Sequence, residues 1–132
     1  MQIEHVAFNV TDPEKVALWY TTHLGMRVVR RVDGPTHTHF LADSAGRVVI
    51  EFYHHAGAAI PDYAALDPLV LHIAFTTTNV RETQKTLEAA GAKSAGEVKV
   101  TPAGDEMVFL RDPWGLAIQL MRRAQPLMEA PA

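Results

Sequence analysis

Polar and apolar positions alternate through residues 2–10: Ile3, His5, Ala7 and Asn9 fall on one side, and Val6, Phe8 and Val10 on the other. This is the two-residue period of a half-buried strand. The pattern returns at residues 69–77, where His72-Ile-Ala-Phe75 restates His5-Val-Ala-Phe8. In both copies two residues follow, then Thr and Asp12 or Asn79, and then a stretch with helical spacing. The first helix is predicted to start at a Thr11 or Asp12 cap with Pro13 in its first turn and to run to about His23. Val16, Leu18, Trp19 and Leu24 form its apolar stripe, and Gly25 is placed to end it in a left-handed conformation. The second helix is expected over about 80–90, with Val80, Thr83 and Leu87 inward, more polar on its outer side, and ending at Gly91.

Strands are predicted at 26–32, 36–42 and 47–54 in the first copy, and at 93–101, 106–111 and 116–122 in the second. Each copy is therefore a βαβββ module, and a self-similar sequence points to a duplicated structure. The expected organisation is one domain over 1–132, with module one at 2–54, a linker at 55–68 holding Pro61 and Pro68, module two at 69–122 and a surface tail at 123–132. The fold class is α+β: two tandem βαβββ modules forming a curved, cup-like mixed sheet with helices on the convex side.

Two strands close the modules, Arg47–His54 and Leu116–Arg122, and each carries one polar residue near its middle: Glu51 and Gln119. The offset between these two matches that between His5 and His72 to within one residue. Alternation sets Val48, Ile50 and Phe52 against Val49, Glu51 and Tyr53, and Leu116, Ile118 and Leu120 against Ala117, Gln119 and Met121. The fully apolar sets belong under the helices. His5, Glu51, His72 and Gln119 are thus expected to point the other way, into the cup. A carboxylate placed there is costly unless it is paired or binds a metal. Two imidazoles and a carboxylate suit one divalent metal such as Zn, Ni, Fe or Mn and leave positions open for substrate. Gln119 supplies either a neutral oxygen ligand or a hydrogen-bonding partner.

Composition narrows the partners. The 132 residues are 48% hydrophobic and 20% charged, ordinary for a globular chain, with a net charge of −3 and no basic stripe. Nucleic acid and anionic membrane are therefore not expected partners, and a small molecule is. The absence of cysteine removes disulfides, thiolate ligands and thiol nucleophiles. With no apolar run near the roughly 18 residues of a membrane span and no signal-like start, the expected location is cytoplasmic.

The order of elements, with His5 in the first strand, Val49-Ile-Glu51 in the fourth, His72 in the fifth and Asp112-Pro-Trp-Gly-Leu-Ala-Ile-Gln119 at the end, resembles the vicinal oxygen chelate superfamily. That group includes glyoxalase I, methylmalonyl-CoA epimerase, extradiol dioxygenases, fosfomycin resistance enzymes and bleomycin-binding proteins. The likeness spans about residues 2–122, and the ligand positions are most similar to those of glyoxalase I. It implies a metal held by His5, Glu51, His72 and Gln119, with Glu51 as the catalytic carboxylate. The implied activity is that of a lyase or isomerase acting through a metal-stabilised enediolate. It also implies a homodimer, as do open sheet edges. Gln119 departs from the pattern, because glyoxalase I has there a glutamate that is both ligand and base. Other members imply two alternatives, an Fe(II) extradiol-type dioxygenase and a non-catalytic, antibiotic-binding protein. His37 and His39 share a strand face with Leu41 and are read as lining the cup, as substrate contacts or an acid-base pair, with a solvated side chain as the alternative for at least one of them.

Overall fold

The computed structural model describes residues 1–129, which gather into two compact units, Met1–Pro61 and a second that begins at Asp62. In the first unit β1 (Val6–Asn9) leads through α1 (Pro13–His23) to β2 (Arg27–Arg31), β3 (His39–Ala42) and β4 (Val49–Tyr53). β2, β3 and β4 run antiparallel and β1 lies parallel to β4, in the order β1-β4-β3-β2. The second unit opens with one 3-10 turn at Tyr63–Ala65. It continues with β5 (Ile73–Thr76), α2 (Val80–Ala89), β6 (Lys93–Ser94), β7 (Lys99–Val100), β8 (Glu106–Arg111) and β9 (Ala117–Arg122). Its sheet order is β5-β9-β8-β6, with β7 also paired to β8. The fold is α+β as expected, and the duplication holds down to register: Ala7 lies opposite Glu51, and Ala74 opposite Gln119.

Helix α1 forms where its signals predict. The Asp12 carboxylate accepts from the Lys15 N–H at 3.1 Å, Pro13 occupies the first turn, and Gly25 follows the helix at φ +67°. Its buried residues are Pro13, Val16, Ala17, Trp19 and Tyr20, and it packs toward β2, β3 and β4, with the Tyr20 ring 4.9 Å from Phe52. The predicted stripe is wrong at Leu18, which is exposed. Positions two apart lie on different sides of a helix, so a face built on Val16 and Tyr20 turns Leu18 to solvent. In α2, Asn79 caps the Glu82 N–H at 3.1 Å, and Val80 and Leu87 are buried against the second sheet.

Most strands are shorter than their patterns, β3 by the three residues 36–38 predicted to open it. The stretch 93–101 splits into β6 and β7 because Gly96 adopts φ +154° and the Ser94 hydroxyl donates to its carbonyl, which breaks the ladder between them. β1 and β5 each have a single neighbour in their sheets, and their pairing begins only at Val6 and Ile73. His5 and His72 therefore stand one residue ahead of their strands. Beyond β9, the expected surface tail is exposed over 124–129, and its last three residues lie outside those described.

Candidate functional site

Register decides which side chains share a face, because residues directly opposite across antiparallel strands lie on the same side. In the first unit Phe40 is opposite Glu51, while His39 is opposite Phe52 and Leu41 opposite Ile50. Ile50 and Phe52 are buried on the side of α1, and Glu51 is half-buried on the other. His5 joins Glu51 there. Its ring meets Phe40 edge-on, with centroids 5.4 Å apart, and its Nε2 lies 3.0 Å from Glu51 Oε2. The opposite ring nitrogen, Nδ1, lies 2.9 Å from Glu4 Oε2.

The second unit repeats this arrangement with one chemical change. Phe109 is opposite Gln119, and the His72 ring meets Phe109 edge-on at 5.1 Å. His72 Nδ1–H donates to the Pro68 carbonyl at 2.7 Å, which leaves Nε2 as the nitrogen with a free lone pair. The Gln119 amide donates from Nε2 to Met107 Sδ at 3.6 Å, so its oxygen is the group left to accept or ligate. Each unit thus carries a histidine, an aromatic ring beneath it and one oxygen-bearing side chain, a carboxylate in the first and an amide in the second.

These donors fit a divalent cation. Imidazole nitrogens whose far nitrogen is held by a carboxylate or a backbone carbonyl are the usual form of a metal-ligating histidine, since the outer bond sets both tautomer and ring orientation. Glu4 and the Pro68 carbonyl contact His5 and His72 at the corresponding nitrogen, Nδ1. Each unit by itself supplies two of the four expected ligands. Among the described residues, no three histidine, aspartate or glutamate side chains are gathered into a ready-made cage.

Sequence pattern does not single out Phe40 or Phe109, although both stand at corresponding places in the duplication. It also misplaces two histidines. His39 is buried with Leu41 and Phe52 on the α1 side, and its Nδ1–H donates to the His37 carbonyl at 2.7 Å. His37 precedes β3, is exposed with φ +47°, and borders a small hollow with Asp12, Glu14 and His54 at the start of α1. Neither shares the face of Glu51. The reason is register: alternation groups His39 with Leu41 correctly, but only pairing with β4 decides which side that group takes.

Elsewhere the side chains serve the scaffold. Asp112 is buried and its carboxylate accepts from the N–H groups of Trp114 and Leu116, closing the turn that leads into β9. Arg111 donates to the carbonyls of Tyr63, Leu66 and Gly115, tying the segment before His72 to the end of β8.

A family model described as Glyoxalase/Bleomycin resistance protein/Dioxygenase superfamily matches residues 2–120. The chain belongs to this superfamily. Among its relatives is a probable lactoylglutathione lyase of Vibrio cholerae, 28% identical over 130 residues that cover 94% of this chain and 92% of that one. A putative lactoylglutathione lyase of Brassica oleracea is 26% identical over 125 residues, 90% of this chain and 43% of that longer protein. Among solved structures, a glyoxalase family protein from Bacillus cereus superposes with a TM-score of 0.78 at 18% identity, covering 92% of this chain and 93% of that one. A glyoxalase I variant from Zea mays gives 0.73 at 23%, with 94% of this chain and 46% of that one covered. At such identities the structural likeness speaks for the fold.

Proposed function

We propose that the protein is a divalent-metal-dependent lyase or isomerase of the glyoxalase type, acting on a small substrate with vicinal oxygens. His5, Glu51, His72 and Gln119 jointly hold one divalent metal, Zn, Ni, Fe or Mn, in a homodimer. The observation that carries this reading is the matched pair of half-sites, each with a histidine oriented from behind and set over a phenylalanine edge beside an oxygen donor. Relatives named as lactoylglutathione lyases support the same reaction class.

When bound, the metal supplies Lewis-acid polarisation of the substrate's two oxygens. The chain's own groups do the rest. Glu51 is the only carboxylate in the quartet and takes the substrate proton, its Oε2 lying 3.0 Å from His5 Nε2. Phe40 and Phe109 set apolar rings against His5 and His72, each within its own unit. An amide accepts no proton near neutral pH, so Gln119 orients through its oxygen alone and the base work falls to Glu51.

The test is the metal content of tag-free protein, wild type against a His5→Ala/His72→Ala double variant. The wild type is expected to carry one divalent metal per quartet and the variant to lose it. Equal content in the two would overturn the proposal.

A further inference from the structure

Strand β2 contains a β-bulge that re-aims one charge. Pairing with β3 runs Arg27 to Ala42 and Val28 to Leu41, then Arg30 to Phe40 and Arg31 to His39, so Val29 is the extra residue. Strict alternation would send Val28 and Arg30 to the same side. With the bulge, Val28 and Arg31 border a hollow beside α1 together with Glu14 and His39. Val29 and Arg30 instead turn to the other side, lining a depression with Glu4, Phe40 and Val49. This is the face of His5 and Glu51, and Phe40 stands between Arg30 and Glu51 across the strands. Two strand spacings, roughly 10 Å, separate the backbones of Arg30 and Glu51.

The arginines on the two faces differ in occupation. Arg31 is paired with Asp33 at 3.4 Å. Arg30 is exposed and, among the described residues of its own unit, no carboxylate is paired with it. Glu4 shares its depression but is engaged by His5. An unpaired guanidinium presents its donors in a fork that matches a carboxylate or phosphate, and bulges recur where a side chain must be re-aimed beside a site.

We infer that Arg30 receives an anionic group of the substrate. The substrate class is then a small organic oxyanion, with vicinal oxygens at one end and a carboxylate or phosphate a few bonds away. The position of the reacting end rests on the proposed metal site at His5 and Glu51. The role of Arg30 as an anion receptor does not.

Two measurements separate these claims. In the first, the metal-free full chain is titrated with succinate and, separately, with inorganic phosphate while the arginine Nε–H resonances are followed by NMR. Arg30 is expected to shift saturably, Arg31 to stay still, and the stronger of the two anions to identify the substrate's charged group. In the second, metal-loaded protein is titrated calorimetrically with acetohydroxamate, a neutral vicinal-oxygen chelator, and with succinate monohydroxamate, which adds a carboxylate. The charged probe is expected to bind at least about ten-fold tighter, and the ratio of affinities to fall to near unity in Arg30→Gln. A still Arg30 resonance together with equal affinities for the two probes would overturn the inference, leaving the bulge as a device that protects an edge strand. If acetohydroxamate fails to bind while Arg30 still saturates with anion, the metal reading fails and the anion receptor stands.

Discussion

Glu4 and Pro68 act on the two histidines from behind, one through a side-chain carboxylate at 2.9 Å and the other through a backbone carbonyl at 2.7 Å. Only the first can be removed by substitution. Glu4→Gln is expected to weaken metal binding about ten-fold, the lower end for an outer partner of a ligating histidine, with unfolding unchanged because Glu4 is exposed. Competition against a chelator of known affinity measures this, and an unaltered constant would assign Glu4 to solvent. Gln119 carries a second expectation at this scale. Without a second carboxylate, metal-loaded wild type should turn over the glutathione hemithioacetal of methylglyoxal weakly, and Gln119→Glu should raise that rate by restoring a proton acceptor. Robust wild-type turnover that the substitution leaves unchanged would show that the amide does not limit this chemistry.

Between elements, buried polar side chains hold what hydrophobic packing leaves loose. Asn9, at the end of β1, is buried; its amide donates to the carbonyls of His55, Ala58 and Ala59, and its oxygen accepts from the His55 N–H at 2.9 Å. One side chain thus pins the segment that leaves the first sheet. Asn9→Ala should cost about 1–3 kcal/mol, the range for orphaning buried partners, seen in urea unfolding together with faster amide exchange at His55. In the second unit Asp105 accepts from the Ala124 N–H and the Arg123 guanidinium, both at 2.9 Å. The Ala124 bond first, then Arg123, holds its carboxyl below the ordinary value of 3.8. A depressed carboxyl stabilises the fold above its unfolded value and loses that contribution as pH falls through its folded value. Protection of the Ala124 amide should accordingly persist at neutral pH and disappear in acid below 3.8. Asp105→Asn should remove that acid dependence, and an acid loss of protection that survives in the variant would place the trigger elsewhere.

For the molecule as a whole, the proposed homodimer is checked by light scattering at micromolar concentration, where a monomer mass with full metal content would refute it. β2 is an edge strand with every residue exposed, the kind of border that a partner or a bulge must manage. Much of this organisation was legible in the chain. The duplication, the βαβββ order, both helix starts and the alternation in β4 and β9 are local properties, set by periods of two and 3.6 residues and by capping side chains a few positions away. The pairing of Ala7 with Glu51 and of Ala74 with Gln119 follows from them, since equivalent sequences take equivalent registers. Other features depended on partners distant in sequence. Alternation could not tell that His39 lies under α1 while Phe40 meets His5 and Glu51, because a strand's two faces are equivalent until a neighbour pairs with it. Nor could it foresee Arg30 on the Glu51 face, because one unpaired residue at Val29 reverses the alternation and a bulge exists only between two strands. The sequence by itself therefore determined the elements and the polar residues proposed as donors. The tertiary structure alone decided which side chains face those donors, since facing is a property of register and register is not local.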